Sequence, residues 1–514
     1  MQPADVDAGD GGLARQRVGR RDHGGDVRAG QDDDPDPDTD ADVAATTRGL
    51  LALELVERRA ADLSGVSHAW FSCRTSGGIG QYYGRRGRGA RPGGAAFVVI
   101  SRTPGEGRAR PGQGRDSGGR RYRVAVPAGL KDELDSLPRA ARAILRRILV
   151  HGPQSRTELA QTFELTLASL TRLTKPLLDH GVLAEGSAQR TPGKGRPRLP
   201  LDVLASEHLV VGVKLTGEDL YAALTDLRGD VLTQRHVPLT STRPDTVVEA
   251  IAAVVADLGA PADRLRGLGV SLGGRTRDRS DVVRAPFLGW NDLPLASLLR
   301  QATGLPSVVD NDVVALTESL HWFGPARGHD TFAVITIGAG IGYALVVHDA
   351  IVRGAGADLS GIGNHVLDPH GPAQPGSPDG TASAYLSSEA IRRAGSAAAG
   401  SDLTYEEVMR RAEAGETACL GVVRAAAFQL GRLVAAVADI ALTELIILSG
   451  EGIGLASLAP DEVERGIAAS RVPHAPPVVT EIHPMGFEAW ARGAAVLAVQ
   501  DFVTSAADRE TAPR

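Results

Sequence analysis

Two short runs of this 514-residue chain set out side chains suited to gripping a polyanion. In the first, Thr166, Ser169, Thr171, Arg172 and Lys175 recur at spacings that place them on the outward side of a helix. Short hydroxyls and guanidinium groups reach base edges when a helix enters the major groove of DNA. Ammonium groups seek the phosphates beside it. In the second run, 189–198, Lys194, Arg196 and Arg198 alternate with Gly and Pro. Such a tip is too polar to pack and well supplied with cations to lie along a phosphate backbone.

These residues need a frame. Leu159, Ala160, Leu165, Leu170 and Leu173 fall at spacings that pack two short helices across each other. Ser155 with Glu158 three residues on forms a capping-box pattern for the first helix, and Thr166 can cap the second. His180-Gly181 is a stop signal, and Pro176 predicts a kink or an earlier end. Ile144, Leu145, Ile148 and Leu149 suit a preceding helix that closes a three-helix core, and Val182-Leu183-Ala184-Glu185 suits a short strand leading into the basic tip. Two amphipathic helices joined by a tight turn also occur in bundles that bind no nucleic acid. The basic tip has no obvious role in such a bundle. The formal net charge of −6 leans against a polyanionic partner, but only the local charge must be positive.

The length suits two or three domains, and 42% hydrophobic residues supply a sizeable core, built from Leu, Val and Ala because aromatics are only 4%. Two distant cysteines, Cys73 and Cys419, exclude a disulfide scaffold and suit a reducing cytoplasm. No apolar run is expected to span a bilayer, and no apolar signal-peptide core opens the chain. Residues 1–123 differ from the rest. An acidic run at 32–38 and an Arg/Gly-dominated stretch at 85–119 predict a low-complexity, mostly disordered extension, with one short helix over 47–63.

Beyond residue 205 the pattern alternates strands and helices: strands at 208–213, 221–225, 231–237, 265–271, 306–310, 331–337, 343–347 and 445–448, with helices at 244–258, from Val313, and at 418–440. The fold class is α/β, with a site expected between two lobes.

Four segments occur in order: Val211-Gly212-Val213 before a hairpin; Gly267-Leu-Gly-Val-Ser-Leu-Gly-Gly274; Ala285-Pro-Phe-Leu-Gly-Trp290 with Val309-Asp310-Asn311-Asp312; and Ile337-Gly-Ala-Gly-Ile-Gly342. They resemble the ROK family of repressors, open reading frames and sugar kinases. The resemblance runs from about Leu130 to the end, including the winged helix-turn-helix that ROK repressors carry and ROK kinases lack. It implies a winged helix-turn-helix over 124–204, a two-lobed actin-like sugar-kinase domain over 205–510, and a homodimer or homotetramer.

The resemblance also marks departures. A ROK kinase opens its phosphate loop with Asp-x-Gly-Gly-Thr, whereas this chain has Lys214-Leu215-Thr216-Gly217-Glu218. Lys214 reverses the charge where Mg²⁺ would be held, and Glu218 sets an anion against phosphates. At roughly 4 Å and an effective dielectric near 20, one such repulsion is worth about 4 kcal/mol at the upper end. The second Gly-rich turn, 338–342, is kept. Asn311-Asp312 matches the family pair whose Asp takes the proton from the sugar hydroxyl; from the residues alone, an Asx cap for the helix at Val313 is the other reading. Family sugar contacts extend to Gly273, Asn364 and His365, but the family glutamates are replaced by Gly361 and Ser383. The family's zinc thiolates correspond to Gln374, Gly376 and Thr381, so no structural zinc is expected.

These readings point to a transcriptional regulator, a repressor of carbohydrate-related genes. It would bind double-stranded operator DNA through Thr166, Ser169, Thr171, Arg172, Lys175, Lys194, Arg196 and Arg198. It would sense a sugar or sugar derivative at Gly273, Asn311, Asp312, Asn364 and His365, with no catalytic residue, no cofactor, no metal and no membrane. The rivals are an active ROK-type sugar kinase with an appended DNA-binding module and a regulator that has lost its effector.

Overall fold

The computed structural model describes residues 73–75, 78–80, 129–186, 199–353, 361–373 and 378–504. The chain divides into two compact units, Met1–Gly114 and Arg115–Arg514. In the first, β1 (Cys73–Thr75) pairs antiparallel with β2 (Gly78–Gly80). The acidic run, the helix expected at 47–63 and the Arg/Gly-rich stretch lie outside the described residues.

The second unit opens with α1 (Leu130–Ser136), α2 (Arg139–His151), α3 (Arg156–Thr162) and α4 (Leu167–Asp179). Beside them lies a small antiparallel sheet of order β3-β5-β4: β3 (Gln154–Ser155), β4 (Leu183–Glu185) and β5 (Pro200–Val203). The capping box at Ser155 and the Thr166 cap form as expected. Gly181, at φ 67°, ends α4: Gly181 N–H donates to Leu178 O and Val182 N–H to Leu177 O, the pairing of a Schellman turn. Pro176 does not end the helix. It removes one N–H, but buried Leu170, Thr174 and Leu177 hold the last turn in the core and α4 continues to Asp179.

A five-stranded mixed sheet follows, of order β13-β9-β6-β7-β8. Its strands are β6 (Leu209–Leu215), β7 (Asp219–Asp226), β8 (Val231–Pro238), β9 (Leu265–Leu272) and β13 (Ser307–Asn311). Every residue of β6 and β13 is buried, and 209–213 of β6 accordingly shows no apolar/polar alternation. Helices α5 (Pro244–Asp257) and α6 (Leu295–Thr303) share one core with these strands. A three-stranded flap, β10 (Arg275–Arg277), β11 (Asp281–Ala285) and β12 (Trp290–Leu293), leaves the end of β9.

After β13 comes α7 (Asp312–Phe323), and then a second five-stranded sheet of order β16-β15-β14-β17-β18. Its strands are β14 (Phe332–Ile337), β15 (Ile341–Val347), β16 (Ala350–Ile351), β17 (Leu445–Gly450) and β18 (Val479–Pro484). It is packed by α8 (Ala382–Leu386), α9 (Ser388–Ala399), α10 (Tyr405–Glu413), α11 (Thr417–Ala441), α12 (Gly454–Leu458) and α13 (Pro460–Ser470). By length and composition α11 could cross a membrane, which corrects the expectation that no apolar run is long enough. Its apolar character has another cause: 56% of its most apolar window is buried in this core.

The last helix, α14 (Phe487–Val503), ties the unit together. It packs on β6, β7, β9 and α7, and also touches α1 and α2. Its approach to the first sheet needs glycine. A Cβ on Gly212 would stand 2.0 Å from Ala491 O, and one on Gly269 would stand 1.8 Å from Ala494 O. At its far end Leu497, Val499, Phe502 and Val503 join Leu134, Ile144, Leu145, Ile148, Leu170 and Leu177 in one buried cluster, to which Trp322 of α7 also belongs. Polar contacts reinforce this seam. His208 bonds Gly181 O through Nε2 (3.1 Å), Arg228 pairs with Asp202, and Arg146 lies 5.2 Å from the Trp322 ring. Burial pushes the His208 imidazole below its ordinary range, with its bond to the Gly181 carbonyl working the other way.

Candidate functional site

Ser155 Oγ accepts from Glu158 N–H (3.2 Å) while Glu158 Oε2 accepts from Ser155 N–H (2.9 Å), which fixes the start of α3. Ser155→Ala is therefore expected to lower stability by about 1 kcal/mol, read as a reduced urea midpoint at unchanged slope. The next helix, α4, presents Leu167, Ala168, Thr171, Arg172 and Lys175 to solvent. Arg172 has no ion-pair partner among the described residues, whereas Lys175 pairs with Asp179 at 3.0 Å.

The hydroxyls on this helix are already engaged. Thr166 Oγ1 accepts from Ser169 N–H (3.1 Å) and donates to Ser169 Oγ (3.0 Å). Thr171 Oγ1 donates to Leu167 O (2.8 Å). Lys194, Arg196 and Arg198 lie outside the described residues, in the connection between β4 and β5. Leu167 is 54% exposed on the same face, and its apolar side chain carried no binding signal in the sequence.

A second cluster forms where β6, β9, β13 and α7 meet. Lys214, 5% exposed, forms an ion pair with Asp312 Oδ2. Its ammonium also lies 5.2 Å from the Trp490 ring. Asn311 Oδ1 caps α7 by accepting from Val313 and Val314 N–H, and Nδ2 donates to Gly274 O at 2.8 Å. Both ends of the Asn311 amide thus hold structure in place. Gly273 belongs to the same cluster: a Cβ there would stand 3.6 Å from Asp312 Oδ2 and 3.3 Å from the ring of Phe287. Gly217 tucks the loop after β6 against the Phe287 carbonyl, while Glu218 stays exposed.

Asp310, next in line, is buried and ringed by cations. Arg353 Nη2 lies 2.8 Å from Oδ2, Arg279 Nε 3.4 Å from it, and Thr276 donates to Oδ1 at 2.9 Å. Burial pushes the Asp310 carboxyl up, but Arg353 and Arg279 outweigh this and hold it below the usual carboxylate range.

Asn364 ends a separate 3-10 turn, Gly361–Asn364, and His365 follows it directly. The turn lies against the start of β15, with Gly363 close to Ser383 Oγ and Ile341. His365 O accepts from Ala382 N–H (2.8 Å). At the position of one family zinc thiolate, Thr381 Oγ1 caps α8 by accepting from Ala384 N–H (3.3 Å). Among the described residues no group of three or more His, Cys, Asp or Glu could hold a metal ion; Gln374 and Gly376 lie outside the described residues.

The second Gly-rich turn is closed by Gly338 N–H donating to Gly340 O (3.0 Å). Ala339 N–H donates to Glu451 Oε1 (3.2 Å), and a Cβ on Gly338 would stand 2.0 Å from that oxygen. An internal carboxylate therefore takes an N–H of the kind that a phosphate accepts from in Gly-rich turns. Tyr405 donates to Gly452 O (3.1 Å) beside it; burial, with Glu451 nearby, pushes its phenol up to about 12. Gly450-Glu451-Gly452 gave no chemical signal in the sequence, because its meaning depends on where β17 delivers it.

Comparison with known proteins places this geometry. A family model described as "ROK family" matches residues 210–501. A putative xylose repressor of Caldicellulosiruptor sp. (strain Rt8B.4) is 26% identical over 231 residues, which are 44% of this chain and 58% of that protein. A glucokinase of Streptomyces coelicolor is 33% identical over 147 residues, 28% of this chain and 46% of that protein. The chain thus spans about half the length of each. The crystal structure of a ROK family transcriptional regulator, a homologue of the Escherichia coli Mlc protein, superposes with a TM-score of 0.62 at 23% identity and covers 73% of this chain and 98% of its own.

Proposed function

This chain belongs to the ROK family, and on that premise we propose that it is a cytoplasmic DNA-binding transcriptional repressor of carbohydrate-related genes. Its winged helix-turn-helix, 124–204, reads an operator. Its sugar-kinase-derived body, 205–510, assembles into a homodimer or homotetramer and senses a sugar or sugar derivative. The observation that carries this reading is the common core. A capped helix pair with cations on its outer face shares one buried cluster with α14, which packs on β6 and α7 of the body and touches α1 and α2. A ligand that engages Lys214 and Asp312 acts on β6 and α7 together, and α14 lies against both. Operator half-sites must match the separation of two recognition helices, so a small rotation of paired subunits is enough to release DNA.

The expected outcome is sequence-specific capture of genomic DNA by the full-length protein. Arg172→Ala weakens the selected site and relaxes preference at one base position, while Lys194→Ala weakens all sequences alike and lowers the salt slope. Gel shifts in which both variants match the wild type would remove the DNA-binding reading. Xylose and glucose head the effector panel for calorimetry, because the matched relatives include a xylose repressor and a glucokinase.

The body is read as non-catalytic. Lys214 replaces the metal-serving Asp and neutralises the counterpart of the catalytic base, and Glu451 holds the other phosphate-facing turn. A proton acceptor locked against an ammonium is poorly placed to take a proton from a hydroxyl. The intact turn at 338–342 favours the rival, an active kinase with an appended DNA-binding module. Sugar-dependent ADP release that disappears in Asp312→Asn would establish that rival.

A further inference from the structure

We infer that Leu167 and Ala168 form an apolar reading surface that meets the 5-methyl groups of thymine in the major groove, beside the cationic Arg172. This rests on the DNA-binding reading above and goes beyond it, because it assigns a second sequence-discriminating contact, beside that of Arg172, to side chains with no polar group. The first ground is the state of the polar neighbours. Thr166 and Thr171 direct their hydroxyl protons within the helix, to Ser169 Oγ and Leu167 O, and Lys175 pairs with Asp179 in an exposed ion pair. Beside them Leu167, Ala168 and Arg172 are exposed on the same helix.

The second ground is position. Leu167 and Ala168 open the first turn of α4, one turn ahead of Thr171 and Arg172 on the same side. Side chains in the first turns of a recognition helix are those that contact base edges. The third ground is contrast within the helix. Leu170 and Leu177 are fully buried, whereas Leu167 is 54% exposed. A single exposed leucine is unremarkable on a protein surface; here it is flanked by an exposed alanine and an exposed arginine that has no ion-pair partner among the described residues, with no acidic residue in the first turn to repel phosphate. An apolar side chain distinguishes thymine from every other base by its methyl group, and an arginine prefers guanine O6 and N7. The half-site should therefore place thymine next to a guanine contact.

The test uses the full-length protein and a duplex selected by it from a random library. Each thymine is then replaced singly by deoxyuridine, which removes only the methyl group, and affinity is read by fluorescence anisotropy. One or two positions are expected to lose about three- to tenfold in wild-type affinity. Leu167→Ala should lose a similar factor on the thymine duplex and be indifferent to uracil at the same position. Leu167→Met should keep most of the effect, and both variants should melt like the wild type because the side chain is not in the core. Uniform tolerance of uracil, or full uracil sensitivity retained in Leu167→Ala, overturns the inference while leaving DNA binding intact. A selection that enriches no sequence overturns the DNA-binding reading and this inference with it.

Discussion

Gly269→Ala is expected to destabilise the second unit by about 3 kcal/mol or more, at the top of the range for overpacking a close-packed interior. The added methyl would sit 1.8 Å from Ala494 O and 2.8 Å from Ala494 C, so the obstacle is backbone on both sides and no rotamer change relieves it. Helix α14 must move away from β9, and the same displacement is carried to its far end, where Phe502 and Val503 complete the core around α1, α2 and α4. Urea denaturation should show the loss, and DNA affinity should fall although the substitution lies in the body. Gly421→Ala supplies the contrast. That glycine is exposed on α11 with nothing within 4 Å of the added methyl, so the variant should gain about 0.5–1 kcal/mol from helix propensity alone. Equal behaviour of the two variants would mean that α14 does not rest on the first sheet as described.

The Lys214–Asp312 pair should respond asymmetrically to truncation. Asp312→Asn leaves a buried ammonium group, 5% exposed, facing a neutral amide oxygen and the Trp490 ring with no compensating charge among the described residues, and is expected to cost about 3 kcal/mol. Lys214→Met leaves a carboxylate that still accepts from Val313 N–H (2.9 Å), sits at the start of α7 and keeps some access to water; about 1–2 kcal/mol is expected. The double variant Lys214→Met/Asp312→Asn should be no less stable than Asp312→Asn alone, a coupling read from a double-mutant cycle of urea midpoints. Strict additivity would show that the two charges do not sense one another.

Local signals were legible because their causes are local. The capping box at Ser155, the cap at Thr166 and the stop at Gly181 each depend on residues within five positions of one another, and 209–213 of β6 reads as an unbroken apolar run because the strand is buried throughout. Lys214 and Asp312 both stood out in the sequence, but as separate departures and retentions. They are 98 residues apart, and only the placement of β6 beside α7 makes them a pair. Glu451 was invisible for the same reason, its partner Ala339 lying 112 residues away. The hydroxyls of α4 illustrate a different limit: composition supplies Thr166, Ser169 and Thr171, but whether an oxygen faces outward or is spent within its own helix follows from backbone geometry. Pro176 did not end α4 because burial of Leu170, Thr174 and Leu177 holds its last turn, and α11 is long and apolar enough to span while 56% of its most apolar window is buried in the core.

The cluster shared by α14 and the N-terminal helices has a practical reading. Helices α1 to α4 resemble a reading head bolted to a body, but the bolt is made of both parts' interiors. Cutting the chain between them would not yield two simpler proteins. The body would lose the N-terminal part of the cluster to which Leu497, Val499, Phe502 and Val503 of its last helix belong. The head would lose the apolar floor on which Leu134, Ile144 and Ile148 rest. Each fragment would carry a sticky wound where the other had been, and the natural remedy for such a surface is association with another copy or precipitation.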